Sequence, residues 1–189
     1  MSEICFNDLL NIINSIGRLP LKKEIKNNFK IKKFNNELKN KALILDYDQT
    51  LRFSVGEQDW PEKIDDIKIF PNRKEKIQEY LKLNYLILGA SNQSVVSRGL
   101  DKKKCIECFN HTNNLLECNI DYIFCPHSRD EIECFCRKPL PGIGAILTVK
   151  YHLDPGQCIM VGDKPSDEEF AKNCGFQYQH PTDFFINYY

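Results

Sequence analysis

The sequence lacks the features that mark membrane, secreted and strongly nucleic-acid-binding proteins. No apolar run approaches the roughly 20 residues that a helix needs to cross a bilayer. The 26 basic and 26 acidic residues cancel, so no net charge indicates nucleic acid or a membrane as the partner. Near the amino terminus, Glu3 and Asp8 stand where a signal peptide would carry basic residues. We therefore expect a cytoplasmic protein.

The cysteine content does not indicate a disulfide scaffold. The nine cysteines are an odd number, no secretion signal is evident, and 189 residues are enough to bury a core without crosslinks. Six of them are expected to be reduced, several in the core. Cys105 and Cys108 form a C-x-x-C pair, but this pair lies in a helical pattern and has no second half.

The other three cysteines cluster with one histidine. The pairs Cys125-x-His127 and Cys134-x-Cys136 offer three thiolates and one imidazole, which is a full tetrahedral set for Zn²⁺. Four protein ligands leave no position for a reactive water, so the predicted role is structural. The alternative is four unliganded loop residues, which is the less usual outcome for such a cluster in an intracellular chain.

The first 40 residues differ in composition from the rest. Residues 1–41 hold nine Lys or Arg against four acids. Leu9, Ile12, Ile13 and Ile16 recur at the spacing of one helix face. We interpret residues 1–40 as a basic helical N-terminal appendage and residues 41–189 as the catalytic domain.

From residue 41 onward, short apolar runs alternate with helical patterns. This alternation predicts an α/β fold with a doubly wound, Rossmann-like parallel sheet, in which ligands bind at the carboxyl ends of the strands. No insertion is long enough for a large cap domain, so the fold is expected to be capless. The predicted strands are Ala42–Leu45, Tyr85–Leu88, Ile120–Phe124, Cys158–Val161 and Phe176–Tyr178.

Acidic pairs follow two of these runs. Asp46 and Asp48 leave the first strand, where one carboxylate can attack as a nucleophile while the other donates and removes protons. Asp163 and Asp167 follow the fourth strand and offer the oxygen ligands that Mg²⁺ prefers. Each acid alone could be an ordinary turn residue. Together, each after a buried strand, they indicate an active site.

Phosphate-binding groups follow the other runs. Ser91 and Asn92 belong to a loop of small donors that can hold phosphate oxygens. Arg137 and Lys138 bring two cations, which the neighbouring zinc loop would fix in place. Arg98 and Arg137 are candidate substrate contacts, although each could be a surface charge. Trp60, in the loop after Asp46, could form a flap over the site or pack on its rim.

These motifs resemble a known superfamily. The set Asp46-x-Asp48-x-Thr50, Ser91, Lys138 and Gly162-Asp163-x-x-x-Asp167 is similar to that of the haloacid dehalogenase superfamily phosphatases. Over residues 41–185 the chain resembles the branch that contains histidinol-phosphate and heptose-bisphosphate phosphatases. Gln49 departs from that branch, which usually has glycine there. The branch motifs are Asn92-Gln93-Ser94, Arg98-Gly99, Cys125-Pro126-His127 and Cys134-x-Cys136-Arg137-Lys138-Pro139.

The resemblance implies a role for each residue. Asp46 would become an aspartyl-phosphate, and Asp48 would protonate the leaving alcohol and then activate water. Lys138 would neutralise the phosphoryl group, with Thr50 supporting the loop. Ser91 and Asn92 would hold phosphate oxygens, and Mg²⁺ would be bound by Asp46, the Asp48 carbonyl and Asp163, with Asp167 close by.

Three functions remain open on the sequence. The first is a magnesium-dependent phosphomonoesterase that acts on a small metabolite such as a sugar phosphate or histidinol phosphate. The second is a polynucleotide 3′-phosphatase, which the basic stretch from Lys22 to Lys41 favours because lysines neutralise backbone phosphates. The third is an inactive binding module, and the complete set of Asp46, Asp48, Lys138 and Asp163 opposes it.

Overall fold

A computed structural model of the chain describes residues 5–20, 24, 37–128 and 134–186. Most of the basic stretch from Lys22 to Lys41 lies outside these residues. The helices are α1 (Phe6–Ile16), α2 (Arg73–Lys82), α3 (Lys102–Leu115), α4 (Gly142–Tyr151), α5 (Pro165–Cys174) and α6 (Pro181–Phe184). The strands are β1 (Ala42–Leu45), β2 (Arg52–Ser54), β3 (Ile67–Ile69), β4 (Leu86–Asn92), β5 (Asp121–Cys125), β6 (Ile159–Val161) and β7 (Gln177–Gln179).

Five strands form the central sheet in the order β5-β4-β1-β6-β7, and all their pairings are parallel. The sheet confirms the predicted doubly wound α/β fold. From β1 the chain proceeds outward through β4 to β5 and then crosses to β6 on the other side of β1. The carboxyl end of β1 therefore lies at the switch point, where such folds bind ligands.

The side chains of β1 alternate between two apolar layers, as a period of two requires. Ala42 and Ile44 pack in a cluster with residues of α4 and α5, while Leu43 and Leu45 pack with residues of α2, α3 and α6. All four side chains are fully buried. Burial on both faces explains why this strand is a continuous apolar run.

The helix α1 packs on the outside of α4. Its residues Leu9, Leu10 and Ile13 form a third apolar cluster with Ala145 and Phe135. The apolar face predicted for residues 9–16 is thus covered within this chain, except at Ile16, which is only partly buried. In the part of the chain that the structure describes, no helix combines the length and the apolar character that a membrane crossing requires.

One strand prediction was wrong in detail, and one hairpin was missed. The second strand ends not at Leu88 but at Asn92, so Ser91 and Asn92 are strand residues and not loop residues. The hairpin of β2 and β3 was not predicted, because each strand has three residues and the polar connection between them hides their alternation. This hairpin, a 3₁₀ turn and α2 account for the chain between β1 and β4, so the described residues there contain no cap domain.

Candidate active site

A buried lysine joins two carboxylates at the carboxyl edge of the sheet. The Lys138 Nζ atom lies 3.0 Å from Oδ1 of Asp46 and 2.6 Å from Oδ1 of Asp167. It also donates a 2.7 Å hydrogen bond to the Ala90 carbonyl oxygen. All three charged side chains are buried, so the pairing of each carboxylate with the lysine compensates for the loss of water.

The charges in this cluster shift one another's titration. Burial by itself lowers the pKa of Lys138, but the carboxylates of Asp46 and Asp167 outweigh burial and raise it. Burial raises the pKa of Asp167, although the Lys138 charge opposes this. Burial and the Asp46 charge likewise raise the pKa of Asp163. One lysine therefore faces three carboxyl groups, and the site favours a further cation.

The same three acids fit a hard metal ion. Oxygen atoms of Asp46, Asp163 and Asp167 lie within 4.8 Å of one another. Thr50, fully buried, makes a 3.5 Å hydrogen bond to Oδ1 of Asp163. Gly162 makes room for Asp167, since a Cβ atom on this glycine would lie 2.5 Å from the Asp167 Cγ atom. A set of carboxylate oxygens with this spacing is the donor chemistry that Mg²⁺ prefers.

Asp48 is held by two residues that the sequence did not single out. Its Oδ1 accepts a 2.8 Å hydrogen bond from Arg52 Nε, and its Oδ2 accepts a 2.7 Å hydrogen bond from Gln93 Nε2. Gln93 was noticed only as part of a motif, and Arg52 lies two residues after the aspartate motif. A charged residue between the apolar Leu51 and Phe53 was the one available signal.

The two predicted phosphate-binding residues, Ser91 and Asn92, make different contacts. Ser91 is buried, and its Oγ accepts a 3.1 Å hydrogen bond from Gln93. The Asn92 amide makes reciprocal hydrogen bonds with the backbone of Lys138, of 2.9 and 3.0 Å. Asn92 therefore fixes the main chain at the lysine, and it also lines the cavity. A phosphate contact by Ser91 or Asn92 stays a prediction.

A cavity of about 1000 Å³ opens above these residues. Its lining includes Asp48, Lys138 and Asp163, and at its rim the Arg98 guanidinium lies 4.9 Å from the ring centre of Trp60. Arg137 also lines the cavity and donates a 3.1 Å hydrogen bond to the His127 carbonyl oxygen.

Gln49 has an unusual backbone conformation, which the glycine expected here from the family resemblance would adopt without strain. Its φ angle is +63°, in the left-handed region. Its backbone N–H donates to the Arg52 carbonyl oxygen at 2.8 Å, which closes the turn after Asp48. A side chain at this position costs about 1–2 kcal/mol.

The predicted zinc ligands converge in space. The Cys125 Sγ atom lies 3.2 Å from that of Cys136 and 3.9 Å from that of Cys134. His127 Nδ1 lies 3.4 Å from the sulfurs of both Cys125 and Cys136. Two sulfurs bound tetrahedrally at about 2.3 Å from one Zn²⁺ would be about 3.8 Å apart. The 3.9 Å distance matches this spacing and the 3.2 Å distance is shorter, and all four ligand atoms lie within 4.8 Å of one another, close enough to hold one metal ion.

Two proteins of similar sequence are heptose-bisphosphate phosphatases. The D-glycero-beta-D-manno-heptose-1,7-bisphosphate 7-phosphatase of Haemophilus influenzae is 30% identical over 138 residues, which cover 68% of this chain and 73% of that protein. The D-glycero-alpha-D-manno-heptose-1,7-bisphosphate 7-phosphatase of Photorhabdus laumondii is 30% identical over 148 residues, which cover 72% and 79%.

A solved structure shares the fold. The D,D-heptose 1,7-bisphosphate phosphatase from B. bronchiseptica, complexed with magnesium and phosphate, aligns with a TM-score of 0.66 at 26% identity and covers 74% of this chain and 79% of that one. The fold, the site and these similarities make this chain a phosphatase of the haloacid dehalogenase superfamily, in the heptose-bisphosphate branch. The family model described as Polynucleotide kinase 3 phosphatase matches residues 41–185, and the chain belongs to that family.

Proposed function

We propose that the chain is a magnesium-dependent phosphomonoesterase that acts through an aspartyl-phosphate on Asp46, with a small phosphorylated sugar as its substrate. The observation that carries this proposal is the position of Asp46, which the buried Lys138 holds beside Asp163 and Asp167. The similarity to heptose-bisphosphate phosphatases, over more than two thirds of their length, supports the substrate class.

The proposed reaction has two displacements at phosphorus. First, an oxygen of Asp46 bonds to phosphorus while the bond to the leaving oxygen breaks, and that oxygen takes the proton of Asp48. Next, a water oxygen bonds to phosphorus as Asp48 takes its proton. The bond to Asp46 then breaks, and its electron pair returns to the carboxylate. Phosphate leaves with both aspartates in their starting states.

Lys138 supplies a fixed positive charge beside the nucleophile. It lowers the repulsion between the Asp46 carboxylate and an anionic phosphoryl group, which could not otherwise approach each other closely. Asp46, Asp163 and the Asp48 carbonyl would hold Mg²⁺, with Asp167 close by. Bound Mg²⁺ would neutralise further charge on the phosphoryl oxygens.

Arg98 and Arg137 are proposed as contacts to the rest of the substrate. Both line the cavity, and Arg98 is exposed at its rim on the ring of Trp60. A bisphosphorylated sugar places its second phosphate at a distance from the reacting one, and a guanidinium binds such a group with charge-assisted hydrogen bonds.

Comparison of two substrates tests the sugar assignment. We expect kcat/KM for heptose 1,7-bisphosphate to exceed that for heptose 7-phosphate by about tenfold or more, because a hydrogen bond to a charged group contributes roughly 1.5–3 kcal/mol. Arg98→Gln should remove this preference. Arg18→Gln, which changes an exposed arginine of residues 1–40, should retain it. An equal preference in all three proteins would exclude Arg98 as the second phosphate contact.

A polynucleotide 3′-phosphatase is the second candidate. The description of the matching family favours it, as do three consecutive exposed lysines at the start of α3, Lys102–Lys104. A 3′-phosphorylated oligonucleotide assayed at several salt concentrations separates the candidates. Preferred turnover of the oligonucleotide, with a steep salt dependence that flattens when Lys102–Lys104 become glutamine, would replace the sugar by a nucleic-acid end as the substrate.

We also propose that Cys125, His127, Cys134 and Cys136 bind one structural Zn²⁺. Their spacing supports this, and Cys136 stands two residues before the buried Lys138. The hydrogen bond from Arg137 to the His127 carbonyl joins the cluster to the cavity wall. Loss of the ion would therefore loosen the segment that carries both cations.

Metal analysis tests the zinc site. Purified protein should contain about one Zn²⁺ per chain. Cys134→Ser should lower the zinc content and the unfolding temperature together, because metal binding contributes directly to folding free energy. Cys5→Ser, at an exposed cysteine outside the cluster, is the matched control and should change neither. A stable, fully active protein without zinc would contradict the structural role.

The division into residues 1–40 and 41–189 remains a proposal, as does a cytoplasmic location. The match of the family model from residue 41 supports the division. The packing of α1 on α4 means that deletion of residues 1–39 would expose Ala145 and its apolar neighbours. For that reason the substitution of lysines, rather than deletion, is the cleaner test of nucleic-acid binding.

A further inference from the structure

One arginine is fully buried beside the active site. The side chain of Arg52 is 1% exposed and is among the largest fully buried side chains of the described residues. Arginine is almost never fully buried unless it is paired, because the removal of a guanidinium from water is costly. The partners of Arg52 therefore indicate its role.

The helix α3 and two aromatic rings fix the guanidinium. Its Nη1 atom donates 2.8 Å hydrogen bonds to the Cys108 carbonyl oxygen and to Thr112 Oγ1. Its central carbon lies 4.8 Å from the ring centre of Phe109 and 5.4 Å from that of Tyr47. A planar guanidinium held by two acceptors and two rings has little freedom to move.

The Arg52 guanidinium also donates a hydrogen bond to Asp48, the proposed acid–base residue. Arg52 Nε donates to Oδ1 of Asp48 at 2.8 Å, while Gln93 Nε2 donates to Oδ2 at 2.7 Å. Gln93 lines the cavity and Arg52 does not, so Oδ1 faces the protein interior and Oδ2 faces the substrate side. The Asp48 side chain is only 13% exposed.

We propose that Arg52 is a positioning residue for proton transfer by Asp48. It anchors Oδ1 of Asp48 to α3, and this leaves Oδ2 directed at the cavity to serve the leaving oxygen and then the attacking water. The proposal rests on the phosphomonoesterase mechanism given above. Arg52 does not touch the substrate in this arrangement and acts only through Asp48.

The leaving group distinguishes positioning from general structural support. An alkoxide needs a proton as its bond to phosphorus breaks, whereas p-nitrophenolate leaves without one. We expect Arg52→Met to slow single-turnover release of the alcohol from an alkyl phosphate about 10²-fold or more, within the range of general acid catalysis. Release of p-nitrophenol from p-nitrophenyl phosphate should change by only a few fold, and KM for both should stay similar.

A double-mutant cycle gives a second readout. If Arg52 acts only through Asp48, Arg52→Met should add almost nothing to the loss of alkyl phosphate turnover in Asp48→Asn. Arg73→Met is the matched control, because Arg73 is a second arginine that packs on aromatic rings, those of Phe70 and Phe185, and is itself partly buried. Its effect on the two substrates should be equal, and it should add to that of Asp48→Asn.

Two outcomes would overturn the proposal. One is an equal loss on both substrates in Arg52→Met, and the other is additivity with Asp48→Asn. Arg52→Lys, which keeps the charge but lacks the planar fork, serves if the methionine variant does not fold, and it should show the same leaving-group bias to a smaller degree. If Asp46→Asn is inactive but Arg52→Met shows no leaving-group bias, only the positioning role of Arg52 is refuted. Full activity in Asp46→Asn would refute the phosphatase mechanism itself.

Discussion

Asp46→Asn is expected to abolish phosphate release while the protein stays folded. The amide is nearly isosteric with the carboxylate, but it cannot act as the nucleophile toward phosphorus. The loss should be roughly 10⁴- to 10⁶-fold, the scale seen when residues of a covalent catalytic machinery are removed. Lys138 keeps its 2.6 Å pairing with Asp167, so the unfolding temperature should change little.

The covalent intermediate provides the direct measurement. Wild-type protein quenched in acid during turnover of labelled substrate should retain label that hydroxylamine releases, as expected for an acyl phosphate, and Asp46→Asn should retain none. Asp101→Asn is the matched control, since asparagine caps a helix as well as aspartate does and Asp101 caps α3. Substantial turnover by Asp46→Asn would disprove the assignment of the nucleophile.

Lys138→Met is expected to lose both activity and stability. Methionine fills a similar volume but leaves Asp46 and Asp167 buried without their cation. Removal of one partner from a buried ion pair costs about 3–5 kcal/mol, so the free energy of unfolding in urea should fall by that amount. Turnover should fall as well, because the phosphoryl charge is no longer balanced beside the nucleophile.

Two comparisons make this result specific. Lys150→Met also breaks an ion pair, with Asp121, but both side chains are about half exposed, so its cost should stay below about 1 kcal/mol. Mg²⁺ should stabilise Lys138→Met more than it stabilises the wild type, because the ion binds only the folded state and replaces the missing charge. Equal stability of the two methionine variants in the absence of Mg²⁺ would contradict the buried-pair account.

The sequence was sufficient to predict the proximity of those site residues whose location depends only on the position of a strand end. The carboxyl ends of adjacent parallel strands lie at the same edge of the sheet. The proximity of the acids after β1 and β6 could therefore be predicted from the sequence. The convergence of the four proposed zinc ligands was equally predictable, because two short pairs in one loop have few other arrangements. For these residues the chain position alone determines the neighbourhood.

The contacts that depend on packing could not be predicted. Arg52 reaches α3, more than 50 residues away, through a three-residue strand with no pattern of its own. The role of Asn92 depends on the path of the Lys138 backbone, which no local signal reveals. The end of β4 was placed too early because its last residues, Gly89 to Asn92, are small or polar and continue the pairing with β5 beyond the end of β1.

The open cavity at the carboxyl edge of the sheet bears on which acceptor would receive the phosphoryl group in the proposed reaction. A hairpin and α2 fill the chain between β1 and β4, so the described residues there include no domain that could close over Asp46 and expel solvent. Enzymes that pass a phosphoryl group to a second alcohol must keep water from the phosphorylated side chain during the exchange. In the proposed reaction, bulk water would compete with every other acceptor once the first alcohol departs. An open cavity of this kind agrees with transfer of the phosphoryl group to water, whichever sugar or nucleotide delivers the phosphate.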